Sequence, residues 1–195
     1  MSHSEKLTGL FFGSFNPIHV GHMVMANYFV AFTAMKELWF VVSPHNPLKE
    51  KAILAPETDR LEMVCLALDD DPRFRVTDIE FRMPKPSYTI DTLTRLQEKY
   101  PSREFALIIG GDNLSAFHRW KNPEEILNQY QVFVYSRPGF EGGEFAGHPH
   151  VHLMFPPQMS ISSSLIRQGV REGLNLNHMM PHGVGDYIGR NNLYR

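Results

Sequence analysis

Short apolar runs alternate with longer segments of helical spacing along this 195-residue chain. That alternation is the strongest constraint on its fold. Leu7 to Phe12, Glu37 to Ser43, Phe74 to Phe81, Phe105 to Ile109, Gln131 to Tyr135 and Val151 to Phe155 are rich in aromatic and β-branched residues. They read as buried strands. His19 to Met35, Thr58 to Leu68, Thr89 to Tyr100, Ser162 to Glu172 and Gly183 to Tyr194 read as helices; Ile90, Leu93 and Leu96 illustrate the spacing. The proline-bearing Pro44 to Pro56 and the glycine-rich Gly139 to Pro149 read as loops. Strands separated by helices predict an α/β architecture, a mainly parallel sheet with helices on both faces. Ligands of such sheets sit beyond the carboxyl ends of the strands, where the strand order reverses.

Composition narrows the class. The length predicts one domain over residues 1–195, with a helical segment from about residue 160 packed on it. Hydrophobic residues make up 43% and charged residues 21%, which argues against wholesale disorder. A formal net charge of −2 argues against a generally basic nucleic-acid binder. The single cysteine, Cys65, allows no internal disulfide and fits a reducing compartment; it is expected as inert packing inside a helix. Met1 to Lys6 lacks the basic start and apolar core of a signal peptide. The apolar run Met23 to Met35 is shorter than the roughly 20 residues a membrane span needs. The reading is a cytoplasmic protein without a membrane anchor. No heptad or exposed apolar stripe declares an interface, so a homo-oligomer is left open.

The chemistry begins in the loop after the first strand. Gly13-Ser-Phe-Asn-Pro-Ile-His19-Val-Gly-His22 is neither a P-loop nor a dinucleotide fingerprint. It joins a glycine at a strand end to a proline and two histidines three residues apart. That spacing puts His19 and His22 on one face of the first helical turn. There they add to the exposed N–H groups and positive dipole end, an arrangement suited to phosphate. Ser162-Ser163-Ser164 before a helix, with Arg167 three residues on, offers a second such cradle.

The first string resembles the G-x-F-x-P-x-H-x-G-H signature of the HxGH nucleotidyltransferase superfamily. The resemblance continues through Ser43-Pro-His-Asn-Pro-Leu-Lys49, Ser87-Tyr-Thr-Ile-Asp-Thr-Leu93, Ile109-Gly-Gly-Asp-Asn-Leu114, Phe117-His-Arg-Trp120, Ser136-Arg-Pro-Gly139 and Ile161-Ser-Ser-Ser-Leu-Ile-Arg167. Together these look like the motifs of bacterial nicotinate-nucleotide adenylyltransferases. The ending, with Val184, Tyr187, Ile188 and Tyr194, is similar too. Departures are Ser14 and Ser164, where the family commonly has Thr, and an extra Asn-Pro-Leu in the loop bearing His45 and Lys49.

The resemblance implies a Rossmann-like nucleotidyltransferase domain that joins ATP to nicotinate mononucleotide, releasing pyrophosphate, with Mg²⁺ bridging the phosphates. It assigns Gly13, Ser14, Phe15, His19, His22, Ser162, Ser163 and Arg167 to ATP, with His19, His22 and Arg167 catalytic. It assigns His45, Lys49, Tyr88, Thr89, Asp112 and Trp120 to the acceptor. The first turn at Ser87-Tyr88-Thr89 could take an anionic group on its N–H groups, and Asp112 suits a ribose hydroxyl pair. Other acceptors carry the same chemistry: nicotinamide mononucleotide, phosphopantetheine or FMN. A non-catalytic nucleotide sensor and a tRNA-synthetase-like domain are rivals from other classes. Retention of both histidines and Arg167 weighs against the sensor, and the chain's length and charge weigh against the synthetase. His148, His150 and His152 read as surface histidines, Asp69-Asp70-Asp71 as a solvated helix end, and Met23, Met25 and Met35 as core filler.

Overall fold

In the computed structural model, which describes residues 7–44, 54–136 and 143–195, six strands form one sheet. They are β1 (Leu7–Gly13), β2 (Glu37–Val42), β3 (Phe74–Thr77), β4 (Glu104–Gly110), β5 (Gln131–Tyr135) and β6 (Val151–Met154). Every pairing is parallel and the order is β3-β2-β1-β4-β5-β6. The chain therefore winds outward from β1 to β3, returns to the centre, and winds outward again. The reversal falls between β1 and β4, whose register pairs Phe11 with Ile108. The crevice beyond Gly13 and Gly110 is where this topology places a ligand.

The inner strands β1, β2, β4 and β5 are buried on both faces, and their side chains alternate between two cores with the two-residue strand period. Phe11, Phe40, Ile108, Phe133 and Tyr135 face α1 (Val20–Phe32), α2 (Glu57–Leu68), α6 (Ser163–Arg171) and α7 (Val184–Arg190). Leu10, Val41, Leu107, Ile109 and Val134 face α3 (Thr89–Lys99), α4 (Gly111–Ser115) and α5 (Pro123–Gln129). Ile166, Val184 and Ile188 join the first core, so the segment after residue 160 packs on the same sheet.

Several boundaries differ from the sequence reading. α1 stops at Phe32 because Thr33 is extended and turns its hydroxyl back to the Phe29 carbonyl, at 2.6 Å. Met35 is buried in the connection to β2. The run Phe74 to Phe81 is a strand only to Thr77; Thr77 Oγ1 accepts the Ile79 N–H and a short 3₁₀ turn follows over Ile79–Arg82. α4 and α5 occupy a stretch the reading left unassigned, and Glu144–Gly147 is 3₁₀ within the second predicted loop. Cys65 is exposed, not core. The buried stripe of α2 is Arg60, Met63, Val64, Ala67 and Leu68, and position 65 lies off it. No described helix is long and apolar enough to cross a membrane.

Candidate active site

A cavity of about 1150 Å³ opens at the β1/β4 reversal. It exceeds the ~300–1,000 Å³ of an ordinary small-molecule site, which suits two substrates side by side. Gly13, Ser14, Phe15, His19, His22, Ser162, Ser163 and Arg167 line it, and so do Tyr88, Thr89, Asp112 and Trp120. All the described residues singled out from the sequence thus meet in one space. His45 and Lys49 lie outside the described residues.

The histidine loop is held in an unusual shape. Phe15 has a left-handed backbone (φ +42) and turns its ring into the core, where it is 2% exposed. That ring lies over Gly13, where a Cβ would come within 2.8 Å of it. Phe15 therefore anchors the loop, and its backbone is what remains to face a ligand. His19 is the N-cap of α1 and His22 the third residue of its first turn. Their rings lie 3.8 Å apart, tilted by 30°. His22 Nδ1 accepts the His19 backbone N–H at 3.2 Å. The neutral His22 ring then carries its proton on Nε2. A Cβ at Gly21 would stand 3.0 Å from His19 Nδ1, so the glycine between the histidines is what lets the first ring lie so close to the turn.

Burial holds the His19 imidazole at about 4, below its ordinary 6.5. Between those values the unfolded chain binds a proton that the folded chain refuses, so stability rises with pH across the window. The contribution is fully present above about pH 6.5 and lost as pH falls toward 4, amounting to about 3 kcal/mol. Melting curves from pH 7 to pH 4 should show His19→Asn losing less stability than the unaltered protein. Parallel profiles would refute this role of His19.

The second cradle sits on the same loop. Ser162 caps α6 by accepting the Leu165 N–H at 3.2 Å. Ser163 Oγ donates to the Pro17 carbonyl at 2.8 Å. Arg167 donates through Nη1 to the Asn16 carbonyl (2.8 Å) and through Nη2 to Ser164 Oγ (3.1 Å). Its buried Nε has no hydrogen-bond partner among the described residues. Ser163 and Arg167 thus fasten the two cradles together, while Ser162 caps its own helix.

On the opposite wall, Tyr88 is the N-cap of α3 and Thr89 its first residue. No side chain caps that turn, so its leading N–H groups face outward from the helix end. Tyr88 is 41% exposed, with the Lys121 ammonium 5.1 Å from the centre of its ring. Trp120 is partly buried, its ring 4.8 Å from that of Phe117. Asp112 is exposed on the first turn of α4, directly after β4.

Two supporting residues escape the sequence reading. Arg60, on α2, is 1% exposed and spreads its guanidinium over four carbonyls: Ser14 (2.7 Å), Ser43 (2.7 Å), Pro44 (2.9 Å) and Ala55 (3.0 Å). It ties the histidine loop to the end of β2. Its position on the apolar stripe with Met63, Val64 and Ala67 is the signal that could have found it. Glu80 is 3% exposed; its carboxylate accepts from Thr92 (2.8 Å) and Ser87 (3.2 Å) at the foot of α3. Burial pushes its carboxyl up. Nothing in its sequence context marks it, because it lies in a run that reads as strand.

His150 and His152 are engaged away from the cavity. His150 Nδ1 lies 2.7 Å from the Leu127 carbonyl and His152 Nε2 2.6 Å from Gln131 Oε1. Among the described residues no three His, Cys, Asp or Glu side chains gather as a metal site.

An all-parallel sheet that reverses beside a two-histidine loop defines the class of α/β fold to which the chain belongs. The family model described as cytidylyltransferase-like matches residues 10–169. A Flavobacterium johnsoniae protein named "Probable nicotinate-nucleotide adenylyltransferase" is 46% identical over 189 residues, 96% of this chain and 98% of its own length. A Bacteroides fragilis protein of the same name is 48% identical over 181 residues, 93% of this chain and 90% of its own. The Plasmodium falciparum nicotinic acid mononucleotide adenylyltransferase complexed with NaAD shares the fold, with a TM-score of 0.81 at 22% identity over 97% of this chain and 98% of that one. This chain belongs to the nicotinate-nucleotide adenylyltransferase family within the cytidylyltransferase-like group.

Proposed function

We propose that the chain transfers the adenylyl group of ATP to nicotinate mononucleotide, yielding nicotinate adenine dinucleotide and pyrophosphate for NAD synthesis. The observation that carries this reading is that one cavity is lined both by the His19/His22 loop with Arg167 and by the first turn of α3, which no side chain caps. Membership of the family supplies the substrate pair.

The acceptor's 5′-phosphate is already a nucleophile. One of its oxygens attacks the α-phosphorus of ATP in line, the bond to the β-phosphate oxygen breaks, and pyrophosphate leaves. Such a transfer needs positioning and charge stabilisation more than covalent help. A divalent cation such as Mg²⁺, brought by the nucleotide, would supply charge neutralisation at the phosphates. His19 and His22, Gly13, Ser14 and the Phe15 backbone receive the triphosphate. Ser162, Ser163 and Arg167 close over it from α6. His22 Nε2–H donates where charge gathers during transfer. At the other end, Tyr88 and Thr89 take the nicotinate carboxylate on backbone N–H groups, Trp120 stacks on the ring, and Asp112 holds ribose hydroxyls. His45 and Lys49 belong to the acceptor side in the same reading.

Pyrophosphate release from MgATP, with nicotinate and nicotinamide mononucleotides as parallel acceptors, tests this directly. Turnover about five- to tenfold faster with nicotinate is expected, since a hydrogen bond to a charged group is worth roughly 1.5–3 kcal/mol against about 0.5–1.5 kcal/mol for a neutral one. Equal rates would refute the carboxylate assignment. No release with either acceptor would refute the function.

A further inference from the structure

Two tyrosine hydroxyls fasten the segment around α7 to the rest of the fold, and they land in different places. Tyr187, on α7, donates to Asp59 Oδ1 on α2 at 2.8 Å. Neither residue lines the cavity. Tyr194 donates to Asn16 Oδ1 at 2.8 Å, inside the histidine loop. The family-like ending of the sequence thus makes one contact remote from the site and one within it.

Asn16 is a junction. It is 3% exposed, and its Oδ1 also accepts the Ala55 N–H at 3.0 Å. Its carbonyl accepts Arg167 Nη1 at 2.8 Å. A buried amide oxygen with two donors on it has little freedom to turn, and the peptide that follows shares that restraint. The carbonyl on which the Arg167 guanidinium rests is then held as well. Tyr194 also lies within the electrostatic reach of both Arg60 and Arg167, the two arginines that grip this loop. Its backbone is in the left-handed region (φ +65), a conformation few non-glycine residues adopt without compensation. The hydroxyl bond to Asn16 and the packing of the side chain against the first core offset it.

We propose that Tyr194 is a positioning residue for the transfer reaction, its hydroxyl fixing Asn16 and, through the Asn16 carbonyl, the guanidinium of Arg167 beside the triphosphate. The inference rests on the reading that the histidine loop and Arg167 receive ATP. A merely structural tail contact would lower stability alone. A positioning contact lowers the efficiency with which ATP is used and leaves the acceptor end of the cavity untouched.

Tyr194→Phe and Tyr187→Phe separate the two, since each removes one hydroxyl and keeps the ring. Steady-state kinetics with MgATP and nicotinate mononucleotide, together with melting curves, are the readout. Tyr194→Phe is expected to lower kcat/KM for ATP by about three- to tenfold, the worth of one hydrogen bond, with KM for the mononucleotide unchanged. Tyr187→Phe is expected to shift the melting temperature but not the kinetics. Asn16→Ala, which retains Tyr194, should show an ATP defect at least as large. The double variant should lose no more than Asn16→Ala alone, because both changes remove the same contact. Tyr194→Phe with unaltered kinetics, an equal rise in KM for both substrates, or fully additive losses in the double variant would overturn the inference. No turnover in the unaltered protein would overturn the functional reading first, and so distinguishes the two failures.

Discussion

Replacing His22 with alanine is expected to lower turnover by about two to three orders of magnitude, the typical loss for one donor aimed at transition-state charge. ATP affinity should fall much less. The imidazole is fixed through Nδ1 by the His19 backbone N–H at 3.2 Å, so its other nitrogen is presented without reorganisation at the moment of reaction. A group held this way binds the developing charge better than the ground-state triphosphate, and that difference appears in kcat. Single-turnover rates and equilibrium ATP binding measured on His22→Ala decide the matter. Equal losses in rate and affinity would make His22 a ground-state binding group.

Arg60→Met should be the most damaging substitution away from the substrates. It keeps an apolar stem of similar length but strips a charged donor from the carbonyls of Ser14, Ser43, Pro44 and Ala55. Each carbonyl left buried without a partner costs roughly 1–3 kcal/mol. Water entry recovers part of that, so a net loss on the order of 4 kcal/mol is expected, a large share of the ~5–15 kcal/mol that stabilises an ordinary domain. Arg60→Lys should recover little, because one ammonium cannot reach four carbonyls spread around a planar fork. Urea unfolding measures this. A loss below about 0.5 kcal/mol, the range of neutral surface changes, would show that the clamp is dispensable.

These two residues mark the division between sequence and structure. His22 was legible because its chemistry is local. His-x-Gly-His at a strand-to-helix junction fixes two rings on one turn, and those rings lie 3.8 Å apart. Tyr88 and Thr89 were legible for the same reason, as the first turn of a helix announced by Ile90, Leu93 and Leu96. The strand alternation also carried the fold class, because a parallel sheet buried on both faces writes near-continuous apolar runs into its sequence.

Local pattern failed where neighbours decide. The apolar run continues past Thr33 and so predicts a longer α1, but Thr33 is extended and its backbone N–H closes the last turn on the Phe29 carbonyl. Cys65 looked like core because its flanks are apolar, yet the face of α2 turned to the sheet passes it by. Glu80 and Arg60 carry charges that sequence alone assigns to solvent, and only the packing shows each to be buried and satisfied.

By itself, then, the sequence determined the α/β class, the anion loop and the family, since each is written in short-range spacing of residue types. Tertiary structure alone decided what holds that loop in place: Arg60 from α2, Ser163 and Arg167 from α6, and Tyr194 after α7. Those bonds join residues as far apart in the chain as Asn16 and Tyr194. Contacts of that separation leave no periodicity behind, because they depend on how the β1/β4 reversal and the helices over it fold the chain back on itself.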